Sequence, residues 1–365
     1  MTTDKIRMGL IGPGTIAPSH AFAIDKTEDT VLTAVCGRRA EQAAELAGQY
    51  GAAHYTDIAA MVDAVDAISL CTPSGAHLEP ALGIITAGKH LLIEKPIEIS
   101  LDRVDQIIAA AEAKGIVLAG VFQSRFAPIA QKLKALVDGG LLGEIYAGSA
   151  YIKRYRPQSY YDSGGWRGTW DIDGGGCLMN QGIHLTDLLL WFMGDPEEVV
   201  GTTESRGRDV EVDTLAMGLV RYQSGARGVI EATTLAYPEL PEYVEIISER
   251  GTLTFNGSKL LRLDLIDPTP AEETVKEELF AISAELAAKR EAIIAAAPPG
   301  TAVPTVDMGH APVVADFAEA IRTGRNPLVD GPEGRRSVAL ITALYESSRK
   351  GSQPVKIRPL LMDQR

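Results

Sequence analysis

The sequence predicts an α/β chain: an N-terminal domain with a doubly wound parallel sheet over 1–123, then a C-terminal α+β domain over 124–365 on a large, mainly antiparallel sheet. Three observations predict it. Apolar strands alternate with helices through the first third, the pattern of a parallel sheet. Beyond Val137, strand-like runs follow one another with turn residues between them, the pattern of an antiparallel sheet. Finally, 365 residues, 45% of them apolar, are too many for one ordinary core, so two domains are expected.

Ile6–Ile11 reads as the first strand, and Gly12-Pro13-Gly14-Thr15-Ile16-Ala17 follows it into a helix that runs through Asp25. This is G-x-G-x-x-A in the Rossmann position. The first glycine makes the turn, the second lets a pyrophosphate approach, and the helix N-terminus faces the phosphates. Gly12, Gly14, Thr15 and Ile16 are therefore expected to bind a dinucleotide; the bland alternative is an ordinary tight turn. The second strand, Val31–Cys36, ends in Cys36-Gly37-Arg38-Arg39, without the carboxylate that holds the NAD ribose. A guanidinium pairs with a 2′-phosphate, so Arg38 and Arg39 favour NADP(H), with NAD(H) possible. Alternatively, the two arginines start a solvated helix, Ala40–Tyr50, or stack on adenine.

The alternation continues with a strand at Ala67–Cys71, a helix at Glu79–Ala87 and a strand at His90–Ile93. A helix at Ser100–Lys114 and a last strand at Ile116–Phe122 complete it. Ligands of such sheets sit at the carboxyl ends of the strands. Thr72, Pro73, Lys95 and Gln123 occupy such ends. Lys95 precedes Pro96, which fixes the chain there and favours a site residue; the alternative is a solvated lysine at a turn.

In the second half, helix Ala127–Val137 precedes strands at Ile145–Lys153, Val199–Ser205, Thr214–Tyr222, Arg227–Ala236, Tyr243–Ser248 and Lys259–Leu265. Between the first two lies Gly174-Gly175-Gly176, then a helix-length apolar run as far as Met193. Asn180, His184 and Asp187 form a polar stripe on that run at helical spacing. Burying such groups unsatisfied costs roughly 2–7 kcal/mol each, so the stripe is either a reaction site or a structural network. The glycines favour a site, because they let backbone come close to a ligand. The loop Arg154–Asp173 carries Tyr155, Tyr160, Tyr161, Trp166 and Trp170 with Arg154, Arg156 and Arg167, a mixture that suits a sugar ring or simply the packing of a long loop. His310, at the start of a helix running through Arg322, is a further substrate candidate or simply a first-turn histidine. Residues 268–304 form an Ala-rich helix, Glu278–Ala297, between Pro-rich ends, and read as an insertion. No metal set is read: Asp171-x-Asp173-Gly174 opens like a calcium loop, but its twelfth position is Gly182.

Together, the glycine turn at Gly12–Ala17, Thr72-Pro73 with His77, A-G-K-H-L-L-I-E-K-P at Ala87–Pro96 and G-G-G-x-L-x-N-Q-G-I-H-x-x-D at Gly174–Asp187 resemble the Gfo/Idh/MocA oxidoreductases, in order and spacing. The resemblance implies an NAD(P)-dependent dehydrogenase or reductase of sugars, glycosides or cyclitols. Lys95 would touch the reacting hydroxyl and His184 would be the acid/base, with Asn180 beside them. Thr72, Pro73, His77, Glu94, Lys95 and Gln123 would line the cofactor. Tyr155, Trp166, Arg167, Asn180, His184 and His310 would meet the substrate. The family often carries Asp where this chain has Asn180, and an amide does not share a proton. Two other classes share the fold: NAD-dependent glycosidases, told apart by net hydrolysis, and non-catalytic dinucleotide-binding regulators, which have no need of Lys95 with His184.

The formal charge of −13 argues against nucleic acid or an anionic membrane as partner. Three scattered cysteines suit a reducing compartment. No signal peptide is read at the N-terminus, and no run nears the ~18 apolar residues of a membrane span, so a cytoplasmic protein is expected. Strands Thr214–Tyr222 and Gly228–Ala236 carry apolar residues at both parities. A sheet with one solvated face should alternate, so the second face is expected to meet another subunit in a homodimer or homotetramer.

Overall fold

The computed structural model describes residues 5–296 and 309–360. The chain forms two compact units: Met1–Gln123 with Pro304–Arg335, and Ser124–Val303 with Arg336–Arg365. The sequence reading assigns all of 124–365 to the second domain, whereas the structure places the described part of Pro304–Arg335 with the first unit. The cause is long-range. Helix His310–Thr323 packs on helix Ala17–Lys26, and the Val329 carbonyl accepts the Gly120 N–H at 2.9 Å. The last stretch of the 268–304 insertion, residues 297–304, lies outside the described residues.

In the first unit the strands are β1 (Ile6–Ile11), β2 (Thr30–Cys36), β3 (Ala53–Tyr55), β4 (Ala67–Leu70), β5 (His90–Ile93) and β6 (Leu118–Gly120). They form one sheet in the order β3-β2-β1-β4-β5-β6, every pair parallel. The order reverses between β1 and β4, which is where such sheets bind ligands. Every residue of β4 is buried, as a strand covered on both faces requires. Ser100, read as helical, is instead a cap: its Oγ accepts the Arg103 N–H at 3.4 Å, and Gly115, at φ 68°, ends that helix. Strand β3 escaped the sequence reading because it is three residues long with two of them exposed.

In the second unit the strands are β7 (Ile145–Lys153), β8 (Pro196–Glu204), β9 (Leu215–Tyr222), β10 (Arg227–Thr233), β11 (Tyr243–Ser248), β12 (Gly251–Phe255), β13 (Leu260–Leu265) and β14 (Val355–Lys356). Their order is β13-β12-β11-β7-β10-β9-β8-β14, antiparallel throughout except β7 with β10. Strand β12 was hidden because Arg250-Gly251 reads as a turn; Gly251 in fact opens β12, pairing with Ser248.

Helices cover one face of this sheet, and glycines let them approach. A Cβ on Gly148 would lie 2.2 Å from Met193 Sδ, and one on Gly218 would lie 2.5 Å from Leu344 Cδ1. Helix Ile183–Met193 and the later part of Gly331–Arg349 therefore close directly on the strands. Helix Pro128–Asp138 packs with the long helix Pro270–Ala296. That long helix is pinned to the sheet edge where Ser283 Oγ accepts the Leu260 N–H at 3.0 Å. On the other face Met217 is 47% and Leu219 63% exposed, with Ile247 at 45%. Leu219 lies opposite Val200 on one side and Val229 on the other, so β8, β9 and β10 share an apolar row on this open face.

Candidate functional site

In the first unit the residues expected to bind a dinucleotide converge on the carboxyl ends of β1, β2, β4, β5 and β6. Gly12 has φ 88°, and a Cβ there would come within 2.9 Å of the Cys71 carbonyl, so the turn after β1 lies against the end of β4. A Cβ on Gly37 would lie 2.5 Å from Pro13 Cδ, which seats the end of β2 against the same turn. Gly14 differs: a Cβ there would meet nothing within 4 Å. The protein's own packing does not require that glycine, but close approach of a pyrophosphate does, so the turn fits a dinucleotide. Thr15 is exposed and Ile16 half-buried beside it. Arg38 and Arg39 are exposed at the start of helix Ala40–Gly48, an arrangement compatible with either reading of them.

His77 is fully buried and joins two of these loops. Its Nε2 lies 2.8 Å from the Thr72 carbonyl, and its Nδ1 lies 3.1 Å from the carbonyls of Pro96 and Ile97. Burial pushes its imidazole below the ordinary histidine value. The Thr72 hydroxyl donates to the Ala76 carbonyl at 3.0 Å, and Pro73 and Gln123 are half-buried at their strand ends. Lys95 is half-buried on the turn after β5. Glu94 is 7% exposed, and its carboxylate faces inward, to His20. His310 is 3% exposed with its ring 4.8 Å from that of His20, so the sequence reading of it as a substrate residue gives way to a place in this buried cluster.

In the second unit the helix begins at Ile183; residues 177–182 are turns. The expected stripe thus falls partly before the helix. The reason is Asp213, just upstream of β9. Its carboxylate accepts the N–H groups of Gly176 at 2.7 Å and Leu178 at 3.0 Å, the Cys177 thiol at 2.9 Å and the Tyr345 hydroxyl at 2.8 Å. Burial pushes the Asp213 carboxyl up, while these donors pull it down. Two of the three glycines are crowded by this anchor. A Cβ on Gly176 would lie 2.0 Å from the Asp213 carbonyl oxygen, and one on Gly175 (φ 152°) would lie 2.1 Å from Tyr345 Oη.

Among the described residues from Asp173 to Leu190, all are buried but Asn180 and His184, which are half-buried. Asn180 donates from Nδ2 to Asp173 Oδ1 and accepts from Gln181 Nε2 at 2.7 Å. Gln181 also donates to the Tyr160 hydroxyl at 2.9 Å and accepts from Arg156 Nε at 3.0 Å. Arg167 lies over the rings of Tyr160 and Trp166, at 4.9 and 5.3 Å, and Arg208 lies over Tyr155 at 5.2 Å. The aromatic loop and the Asn180 turn are therefore one connected surface. Asp187, expected beside the His184 ring, is gripped by Arg125: Nε donates to Oδ2 at 2.8 Å and Nη2 to Oδ1 at 2.7 Å, with both side chains essentially unexposed. Asp213, Arg125, Asp173 and Gln181 were missed from sequence. Only Arg125 left a signal, since a buried Asp187 on an apolar helix demands a cation.

A parallel sheet of order β3-β2-β1-β4-β5-β6 with a glycine turn at its switch point defines a dinucleotide-binding fold, here joined to an open mixed sheet. Residues 6–122 match the family described as "Oxidoreductase family, NAD-binding Rossmann fold", and residues 130–254 match the "GFO/IDH/MocA C-terminal domain". The chain belongs to the GFO/IDH/MocA oxidoreductase family. It is 34% identical over 226 residues to the D-glucoside 3-dehydrogenase of Escherichia coli (strain K12), a match spanning 58% of this chain and 64% of that relative. Against the D-xylose 1-dehydrogenase (NADP(+)) 2 of Haloferax volcanii it is 27% identical over 94% of this chain and 98% of the relative. The crystal structure of the WlbA dehydrogenase from Bordetella pertussis, in complex with NADH and UDP-GlcNAcA, superposes with a TM-score of 0.87 at 29% identity, covering 98% of this chain and 99% of that one. Among the described residues, no helix is long and apolar enough to cross a membrane.

Proposed function

We propose that the protein moves a hydride between a nicotinamide dinucleotide and a hydroxyl-bearing carbon of a sugar, glycoside or cyclitol. The observation that carries this reading is the emergence of Asn180 and His184 from an otherwise buried segment. A bound nicotinamide supplies the hydride acceptor or donor. His184 takes the proton from the substrate hydroxyl, or returns it in the reverse direction. Lys95 bonds the same oxygen, and its charge favours a neutral, basic imidazole at His184. Asn180 orients the substrate, and the rings and guanidiniums of Tyr155, Trp166 and Arg167 hold its faces. The relatives named for glucoside and xylose dehydrogenation support this substrate class. A dehydrogenase panel over glycosides, free sugars and inositols tests it: no change in nicotinamide absorbance with any of them sinks the proposal.

The cofactor proposed is NADP(H), held through Arg38 or Arg39 at its 2′-phosphate. Arg38→Ala is expected to weaken NADPH binding about tenfold, roughly one charge-assisted contact, and to leave NADH binding unchanged. Wild-type protein that binds NADH as tightly as NADPH would overturn this assignment.

The open face of the second sheet is proposed to meet a second copy of the chain about a two-fold axis. Leu219→Glu changes a side chain already 63% exposed, so the monomer should fold normally. Light scattering is expected to give at least twice the chain mass for wild type and a smaller assembly for the variant; a monomeric wild type refutes the idea.

A further inference from the structure

We propose that Glu94, gripped by His20, is a positioning residue for Lys95: it fixes the peptide that carries this lysine and keeps the ammonium charged. The inference rests on the reading that Lys95 works on the substrate oxygen.

The two carboxylate oxygens of Glu94 are divided between two tasks. Oε2 accepts the backbone N–H of Lys95 at 3.0 Å. Oε1 lies 2.8 Å from His20 Nε2, and His20 Nδ1 lies 2.7 Å from Ser69 Oγ. Burial pushes the His20 imidazole below its ordinary value, so the ring is neutral. A neutral ring satisfies both neighbours in one way: Nε2–H donates to Glu94, and Nδ1 accepts from the Ser69 hydroxyl. Burial alone would raise the Glu94 carboxyl, yet the hydrogen bond from His20, the neighbouring His310 and, last, the Lys95 charge outweigh it and hold it well below the usual range. Glu94 is thus a buried anion at the root of Lys95.

Titratable groups face this carboxylate from each element packed on it: His20 from helix Ala17–Lys26, His310 from helix His310–Thr323, Cys71 from the end of β4, and His77 from the following loop. His310 Nε2 lies 3.6 Å from Glu94 Oε1, farther than His20 but close enough to help hold the carboxyl down. The Lys95 charge acts on the same carboxylate. A cation next to a buried anion keeps its proton to higher pH than it would alone.

Glu94→Gln is the decisive variant because it removes the charge and keeps the shape. If His20 shifts its proton to Nδ1, it can accept from the new amide and donate to Ser69, so the fold is preserved. The rate of Lys95 acylation by acetic anhydride against pH, read by peptide mass, is expected to move about one unit lower in Glu94→Gln, since a lysine without its anion loses its proton sooner. The alkaline limb of the kcat profile is expected to move the same way. His20→Leu should lower kcat at least about tenfold, from loss of orientation, with the KM for cofactor nearly unchanged. His20→Gln, which keeps a donor at the Nε2 position, should restore most of it. An unmoved acylation curve, or no difference between His20→Leu and His20→Gln, overturns the proposal. So does a stoichiometric transition metal in the purified protein, since the ligand atoms of His20, Glu94 and His310 lie within 4.8 Å of one another and could take one. Lys95→Met with normal turnover would instead sink the reading of the active site; an inactive Lys95→Met with an unmoved acylation curve in Glu94→Gln sinks this inference alone.

Discussion

Replacing His184 by alanine is expected to lower kcat by roughly 10²–10⁴-fold, the usual contribution of a positioned acid/base, while dinucleotide binding, followed by nicotinamide fluorescence, is unchanged. His184 is half-buried at the second position of helix Ile183–Met193, and its neighbours on both sides are buried. The alanine variant therefore costs little packing, and a large loss of turnover would report on chemistry rather than folding. Lys95→Ala is expected to fall as far, because the reacting oxygen loses its cation. Turnover of His184→Ala within tenfold of wild type would remove this histidine from the reaction.

The second large effect concerns stability. Arg125 and Asp187 form a two-pronged ion pair with 1% and 0% side-chain exposure. Arg125→Ala leaves a buried carboxylate without its guanidinium, which costs about 3–5 kcal/mol, enough to lower the urea midpoint sharply. Arg125→Lys should recover part of this, since an ammonium supplies the charge without the planar fork. Asp187 stands three residues after His184, so activity should fall along with stability. A loss below about 1 kcal/mol would show that the pair is easily replaced by water, as exposed pairs are.

Strands β7 and β11 were legible to the residue, because Ile145–Lys153 and Tyr243–Ser248 are β-rich runs bounded by turns. The turn at Gly12–Ala17 was legible because its chemistry is local: strand, glycine, helix. The triple glycine was visible but its purpose was not. Its crowding comes from Asp213 and Tyr345, far away in sequence, and no periodicity announces a partner at that distance. Helix His310–Thr323 was read as a helix, but its attachment to the first unit depends on a tertiary contact with Ala17–Lys26. Asp187 shows the same limit. Its burial was predictable, yet its spacing pointed to His184, three residues away, whereas the carboxylate is held by Arg125.

The turn that carries Asn180 and leads into the helix of His184 is fastened from behind. Its backbone donors at Gly176 and Leu178 end on Asp213, and Tyr345 closes the other side of that carboxylate. The aromatic loop meets the turn through side chains at Asn180 and Gln181 and through the Gly174 N–H, which donates to the Thr169 carbonyl at 3.2 Å. Substitutions within 154–170 can therefore reshape what is admitted without moving the backbone that presents the histidine. A lineage built on this scaffold can exchange one polyol for another by rewriting a single surface loop, and inherit the reaction unchanged.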